Sequence, residues 1–315
     1  MTNQLQTERK RSVGDYAKIS LRGVAMGAAD VVPGVSGGTI AFISGIYEEL
    51  IDSIRKVDVK ALQMVVQGRI GDAWSHVNAN FLLALLAGIV LAFISLANII
   101  KHLLATQPVL VWGFFFGLVL SAAWVVSRSI KKFDTKTIAS LVLGVGMGLA
   151  VALVPPGETP DSLLFIALCG AIAVTAMILP GISGSFLLLL MGKYEYMITA
   201  LTELRLAVIC SFIAGAVVGL LSFSRLLHLL LNRFHDLTVA FLTGIMLGSL
   251  AKVWPWKNTV MTYVDRHGVE KPLITNIVMP GQFEGESQVV LTVVLALIGA
   301  AIVLGLHWVA QRSAR

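Results

Sequence analysis

A chain of 315 residues that is 57% hydrophobic and 13% charged, with a mean hydropathy of +0.84, lies far outside the soluble range and reads as a polytopic membrane protein. Its net charge of +6 comes from basic residues between the hydrophobic runs, so the charge marks topology and no nucleic-acid partner is expected. Cys169 and Cys210 sit in apolar segments without metal or redox spacing and read as small buried hydrophobes.

In chain order, residues 1–13 form a polar, basic tail with no apolar core or cleavage site behind it; it is not a removable signal and is expected to stay cytoplasmic. Repeat 1 follows over 14–155. It opens with a broken, re-entrant segment (14–52) interrupted at Pro33-Gly34-Val35-Ser36-Gly37-Gly38, continues through a polar insert (52–76) that reads as a cytoplasmic amphipathic helix, and ends with three spans at 78–103, 107–127 and 137–155. Repeat 2 covers 156–315: a broken segment (162–200) interrupted at Pro180-Gly181-Ile182-Ser183-Gly184-Ser185, then spans at 206–231, 236–256 and 288–311, with an outer loop at 256–287. Each span is about the length needed to cross roughly 30 Å of hydrocarbon as a helix. The shortest uncharged run belongs to 236–256.

The two broken segments match in detail. Residues 33–51 and 180–198 share Pro, Gly, Ser and Gly, then Gly45/Gly192, Tyr47/Tyr194, Glu48/Glu195 and Ile51/Ile198, which is duplication. A second echo, Phe114–Leu120 against Phe241–Leu247, comes at a shorter offset because only the first half carries the insert. If each broken segment returns to its own side, three crossings remain per half. The second half then starts on the opposite face, so the expected fold is all-α with two inverted-topology repeats. Positive charge agrees: with both termini inside, 17 of the 24 Lys and Arg residues fall in inner segments.

Proline at the front of each loop ends the preceding helix and removes a donor, while the glycines let the chain reverse. The helices that follow begin with free N–H groups beside the hydroxyls of Ser36, Thr39, Ser183 and Ser185, an arrangement suited to an anion. Non-helical backbone at membrane depth persists only when buried in protein or lining a wet cavity, and paired broken helices are where transporters place substrate. The candidate anion contacts, which the family resemblance given below implies are to phosphate, are Arg22, Gly34, Ser36, Gly37, Gly38, Thr39, Gly181, Ser183, Gly184 and Ser185. Asp30, Glu48 and Glu195 are candidate coupling or gating groups. Arg22 suits either Asp30 or a bound phosphate; alternatively, Arg22 and Lys193 snorkel to headgroups and the Tyr-Glu pairs cap helix ends.

The six histidines show no paired metal spacing, and neither a Walker loop nor a dinucleotide fingerprint is present, so no metal or cofactor is expected. Ser36 and Ser183 have no histidine or lysine companion at a motif spacing, which argues against an enzyme. Small-residue faces such as Gly144, Gly146 and Gly148 suit intrachain packing or a homodimer seam equally.

The run Asp30–Thr39 (DVVPGVSGGT), the later Leu179–Gly184 (LPGISG) and Gly113–Gly117 (GFFFG) resemble the bacterial polyprenyl-phosphate transporter family over nearly the whole chain. The resemblance implies movement of undecaprenyl phosphate, the lipid carrier of cell-envelope synthesis, from the outer to the inner leaflet of the plasma membrane. Membrane lipid would surround the isoprenoid tail. The second copy departs from the first by placing Ser185 and Phe186 where Gly38 and Thr39 stand. Two other classes share parts of this logic: a small-anion transporter, which needs a closed aqueous path, and a lipid-phosphate enzyme, which needs a nucleophile with a base.

Overall fold

The computed structural model describes residues 11–31, 35–157, 159–264 and 270–313. Pro33 and Gly34 of the first motif and most of the 1–13 tail lie outside the described residues. The helices are α1 (Val13–Asp30), α2 (Gly37–Ile43), α3 (Tyr47–Arg55), α4 (Val59–Val66), α5 (Ile70–His76), α6 (Ala79–Thr106), α7 (Pro108–Ser127) and α8 (Thr135–Leu153). They continue with α9 (Leu163–Ile178), α10 (Gly184–Leu190), α11 (Tyr194–Thr202), α12 (Leu206–Arg233), α13 (His235–Ser249) and α14 (Val289–Ser313). The chain is an all-α polytopic membrane protein with one addition: the segment between α13 and α14 carries an antiparallel hairpin, β1 (Lys257–Val264) with β2 (Glu270–Ile277).

Local sequence sets the boundaries. Ser12 and Asp15 form a capping box that starts α1, Asp134 accepts from the Thr137 amide to start α8, and Pro108 occupies the first turn of α7. Both short helices after the breaks end on a glycine in the left-handed region, Gly45 at φ +73° and Gly192 at φ +65°. That requirement accounts for one of the shared positions of the two segments.

Five helices, α6, α7, α8, α12 and α14, are long and apolar enough to cross a membrane. The expected span at 236–256 is shorter than read: α13 has 15 residues, about 22 Å at 1.5 Å per residue, and the chain leaves the helix before Trp254 and Trp256. The insert also differs, forming two short helices, α4 and α5, turned at Gly68 (φ +74°), where one amphipathic helix was expected. Of the two cysteines, Cys169 is buried but Cys210 is exposed on α12.

Four helix pairs make the body: α1 with α6, α9 with α12, α7 with α14 and α8 with α13. In lipid the hydrophobic effect does not drive helices together, so close backbone approach must. A Cβ on Gly23 would strike the carbonyl of Leu85, and one on Gly88 the carbonyl of Ser20. The second half repeats this: Gly170 faces the carbonyl of Phe212, and Gly215 that of Ala167. In the remaining pairs Gly117 abuts Ala296 and Gly299 abuts Phe114, while Gly244 abuts Leu141 and Gly144 abuts Phe241. Gly144 and Gly148 thus serve intrachain packing against α13, whereas Gly146 faces open space. Adding one methyl should separate these cases. Gly215→Ala is expected to cost about 1–3 kcal/mol by overpacking and Gly146→Ala to leave stability unchanged or slightly higher, measured by thermal unfolding of the purified protein in one detergent.

Candidate functional site

Breaking α9 at Pro180 strands its last carbonyls, which a helix of this kind leaves without internal partners. The first loop supplies them. Ser36 Oγ reaches the carbonyl of Leu179 at 3.0 Å and that of Met177 at 3.3 Å, and Tyr47 OH donates to the carbonyl of Ile178 at 3.1 Å. In the other direction the Gly181 amide donates to Thr39 Oγ1 at 3.1 Å. Ser36 and Thr39 are completely buried and Tyr47 nearly so. The two loops therefore interlock, with side chains of the first half completing backbone groups that the break in the second has freed.

The amino terminus of α2 is similarly occupied. Ser36 Oγ accepts from the Gly38 amide at 3.1 Å, and Asp30 Oδ1 accepts from the Gly37 amide at 2.7 Å. A carboxylate thus sits where the donors of this helix end would otherwise meet an external anion. Gly38 has no room for a side chain, because its Cβ would lie 2.5 Å from the carbonyl of Ile178. That contact accounts for glycine at the first of the two positions where the copies depart.

The second loop is more open. Ser183 Oγ and Ser185 Oγ lie 2.9 Å apart, and the Phe186 amide reaches Ser183 Oγ at 3.5 Å. Phe186 replaces the hydroxyl of Thr39 with a ring, and Gly181, at φ +86°, packs on the backbone of Met246. A small cavity opens on this loop, lined by Gly181, Ile182, Ser183 and Phe186, by Gly148, Val151 and Ala152 of α8, and by Ser249 and Lys252 after α13. Gly184 packs against the carbonyl of Ala173.

Sequence reasoning missed Lys252, which no motif or spacing singles out. Its Nζ lies 4.0 Å from the centroid of the Phe186 ring. Lys257 stands behind it, donating to the Lys252 carbonyl at 2.7 Å with its Nζ 4.1 Å from the Trp112 ring centroid. Partial burial, and then the neighbouring Lys252 charge, pull the Lys257 ammonium down to about 7.

Other expected groups lie apart from the cavity. Arg22 is on α1, half-buried, with no hydrogen bond or ion pair to Asp30 among the described residues. Glu48 is exposed and Glu195 half-buried, each in the first turn of its helix, α3 or α11. Lys193 does not snorkel: it is 4% exposed, bonded to the Thr159 carbonyl at 2.6 Å and paired with Asp161 at 2.5 Å. It ties the loop after α8 to the turn between α10 and α11. The described residues include no cluster of side chains suited to a metal.

The loop interlock has a measurable cost when broken. Tyr47→Phe removes the only side-chain bond to the Ile178 carbonyl among the described residues and is expected to lower stability by about 1–3 kcal/mol through an unsatisfied buried acceptor. Thermal unfolding of the variant beside wild type checks it.

A family model described as undecaprenyl phosphate translocase-like matches residues 26–271, a stretch that includes both broken segments and the Lys252 and Lys257 positions. The chain is 42% identical over 302 residues to a polyprenyl-phosphate transporter of Vibrio cholerae serotype O1, covering 95% of this chain and 98% of that protein. It is 31% identical over 264 residues to a polyprenyl-phosphate transporter of Staphylococcus aureus, covering 78% of this chain and 89% of the relative. No solved structure matches the chain. Likeness on this scale, running through both motifs and the helices between them, shows that this chain belongs to the undecaprenyl phosphate translocase-like family.

Proposed function

We propose that this protein carries a polyprenyl phosphate, undecaprenyl phosphate above all, from the outer to the inner leaflet of the bacterial plasma membrane for reuse in envelope synthesis. The observation that carries this reading is similarity to two polyprenyl-phosphate transporters, 42% identical over 95% of the chain and 31% over 78%, joined to a cavity on the second broken loop. The role is transport, with no covalent step at either serine.

The two halves are read as inverted repeats. In support, equivalent backbone contacts recur at fixed offsets: Gly23 with Leu85 and Gly170 with Phe212, Gly88 with Ser20 and Gly215 with Ala167, Phe114 with Gly299 and Phe241 with Gly144. Both termini are assigned to the cytoplasm from the excess of basic residues in the segments that this topology places inside. On that topology the cavity beside α8 and α13 faces the outer side.

The phosphate contacts fall to the second loop, whose cavity, about 10 Å³ here, widens to admit the headgroup. Gly181, Ser183, Gly184 and Ser185 offer backbone and hydroxyl groups, while Ser36, Gly37, Gly38 and Thr39 are engaged in holding the loops together or are sealed beneath them. The isoprenoid tail remains in lipid. Gating is assigned to Asp30, which must leave the Gly37 amide before the first loop can take a phosphate in turn. Glu48 and Glu195 remain the coupling pair of this reading, placed alike after the two loops, and Arg22 a contact of the later, inward-facing stage.

The test is binding of undecaprenyl phosphate to protein in lipid nanodiscs, with undecaprenol as control. Wild type is expected to require the phosphate, and Ser183→Ala combined with Ser185→Ala to weaken that binding about tenfold, the scale of one charge-assisted hydrogen bond. Equal binding of the alcohol by wild type would overturn the function, and undiminished binding by the double variant would move the site from the second loop.

A further inference from the structure

We propose that Lys252 is the counter-cation of the transported phosphate: the cavity beside the second loop, about 10 Å³ here and the space of a single water, widens into an anion subsite with an apolar wall when the lipid enters. The inference rests on the transport reading above and adds to it the residue that supplies charge. Lys252 is half-buried and shares the cavity with Gly181, Ser183 and Ser249. Its ammonium is positioned by the face of Phe186, at 4.0 Å. That contact orients a cation without neutralising it.

What the cation lacks is an anion. Lys193 is committed to Asp161 and the Thr159 carbonyl, and Lys257 to the Lys252 carbonyl and Trp112. Lys252 Nζ has no hydrogen bond or carboxylate among the described residues. A partly desolvated ammonium without a counter-charge is unfavourable, and a bound anion removes that cost. A further feature of the wall fits a phosphate: Ser183 lines the cavity, and its hydroxyl lies 2.9 Å from that of Ser185 just behind it, so the pair shares one hydrogen bond and keeps the other hydrogen free to donate.

The rest of the lining sets the class of ligand. Val151, Ala152, Ile182 and Phe186 are apolar, so the cavity offers charge and hydroxyls on one side and hydrocarbon on the other. A phosphate monoester carried on a hydrocarbon chain uses both sides, whereas inorganic phosphate uses only the first. Arg22, the cation expected from sequence, does not line this cavity.

The experiment titrates full-length protein in nanodiscs with undecaprenyl phosphate, undecaprenol and inorganic phosphate, for wild type, Lys252→Met, Lys252→Arg and the double variant Ser183→Ala, Ser185→Ala. Lys252→Met is expected to weaken undecaprenyl phosphate at least about tenfold while leaving the alcohol unchanged, and Lys252→Arg to recover most of the loss. Inorganic phosphate is expected to compete only weakly, and competition as strong as that of the lipid would overturn the assignment of a lipid monoester. A Lys252→Met protein that binds like wild type, while the serine variant does not, would overturn the role of Lys252 and leave the second-loop site standing. Loss of alcohol binding in Lys252→Met would show a packing role and overturn the assignment, with Lys252→Arg distinguishing misfolding from lost charge. Wild type that does not prefer phosphate over alcohol would instead overturn the transport reading itself.

Discussion

Everything in this molecule follows from one requirement: a helix broken inside a bilayer must find protein partners for the backbone groups it exposes. The break at Pro180 exposes the carbonyls of Met177, Ile178 and Leu179, and no water-filled bulk is nearby to take them. Ser36 and Tyr47, more than 130 residues earlier in the chain, meet these carbonyls, and Thr39 takes the Gly181 amide. Buried polar groups in low dielectric are costly unless paired, so this interlock fixes the relative position of the two loops more tightly than apolar packing could. The glycines on the surrounding helices serve the same end from outside. By letting α1 approach α6, and α9 approach α12, to backbone contact, they hold the broken segments at the depth where the interlock can form.

The consequence is that two loops of near-identical sequence do different work. Serine at position 36 is a structural group, bonded on every side, while Ser183 meets Ser185 at the edge of a cavity. The difference is traceable to two substitutions. Gly38 lies under the Ile178 carbonyl, where a serine such as Ser185 would not fit, and Thr39 makes the bond that Phe186 cannot. Asp30 adds a third element of asymmetry, because the corresponding position 147 residues later is Met177. The first copy brings its own carboxylate to its helix end; the second leaves that end to Ser183 and to a cavity with a lysine on its wall.

Sequence reading reached the fold class, the location of both breaks and five of the six spans, because proline, glycine and uncharged length are one-dimensional signals. It overextended the span at 236–256, since the apolar residues Val253, Trp254 and Trp256 continue the hydropathy of α13 after its hydrogen bonds have ended. Trp254 and Trp256 instead donate to the carbonyls of Val278 and Ser287, seating the β-hairpin, which composition alone did not suggest. At the loops, the hydroxyls were visible but their partners were not: nothing in a serine's neighbours along the chain says that it will bond a carbonyl across the fold. Lys252 was overlooked for the opposite reason. Charge counting treats each lysine as a marker of sidedness, and what distinguishes this one is the ring of Phe186 and the lack of a carboxylate partner among the described residues.

If the halves exchange roles during transport, the structure also says which bonds the opposite arrangement would make. Tyr194 stands at the same distance behind its loop as Tyr47, half-buried and without a hydrogen bond among the described residues. The position matching Ile178 is Val31, at the end of α1. A Tyr194 bond to the Val31 carbonyl would mirror the bond seen here from Tyr47, but Phe186 leaves the mirror of the Thr39 bond unmade. One missing buried hydrogen bond is worth about 1 kcal/mol, a gap small enough for both arrangements to be populated and large enough to favour the present one at rest. Such a bias lets an anion act as the switch, because a ligand shifts an equilibrium only by its unequal affinity for the two states. On this reading the phosphate held by Lys252, Ser183 and Ser185 is that ligand, and the swing begins when those contacts are exchanged for the donors that Asp30 now covers.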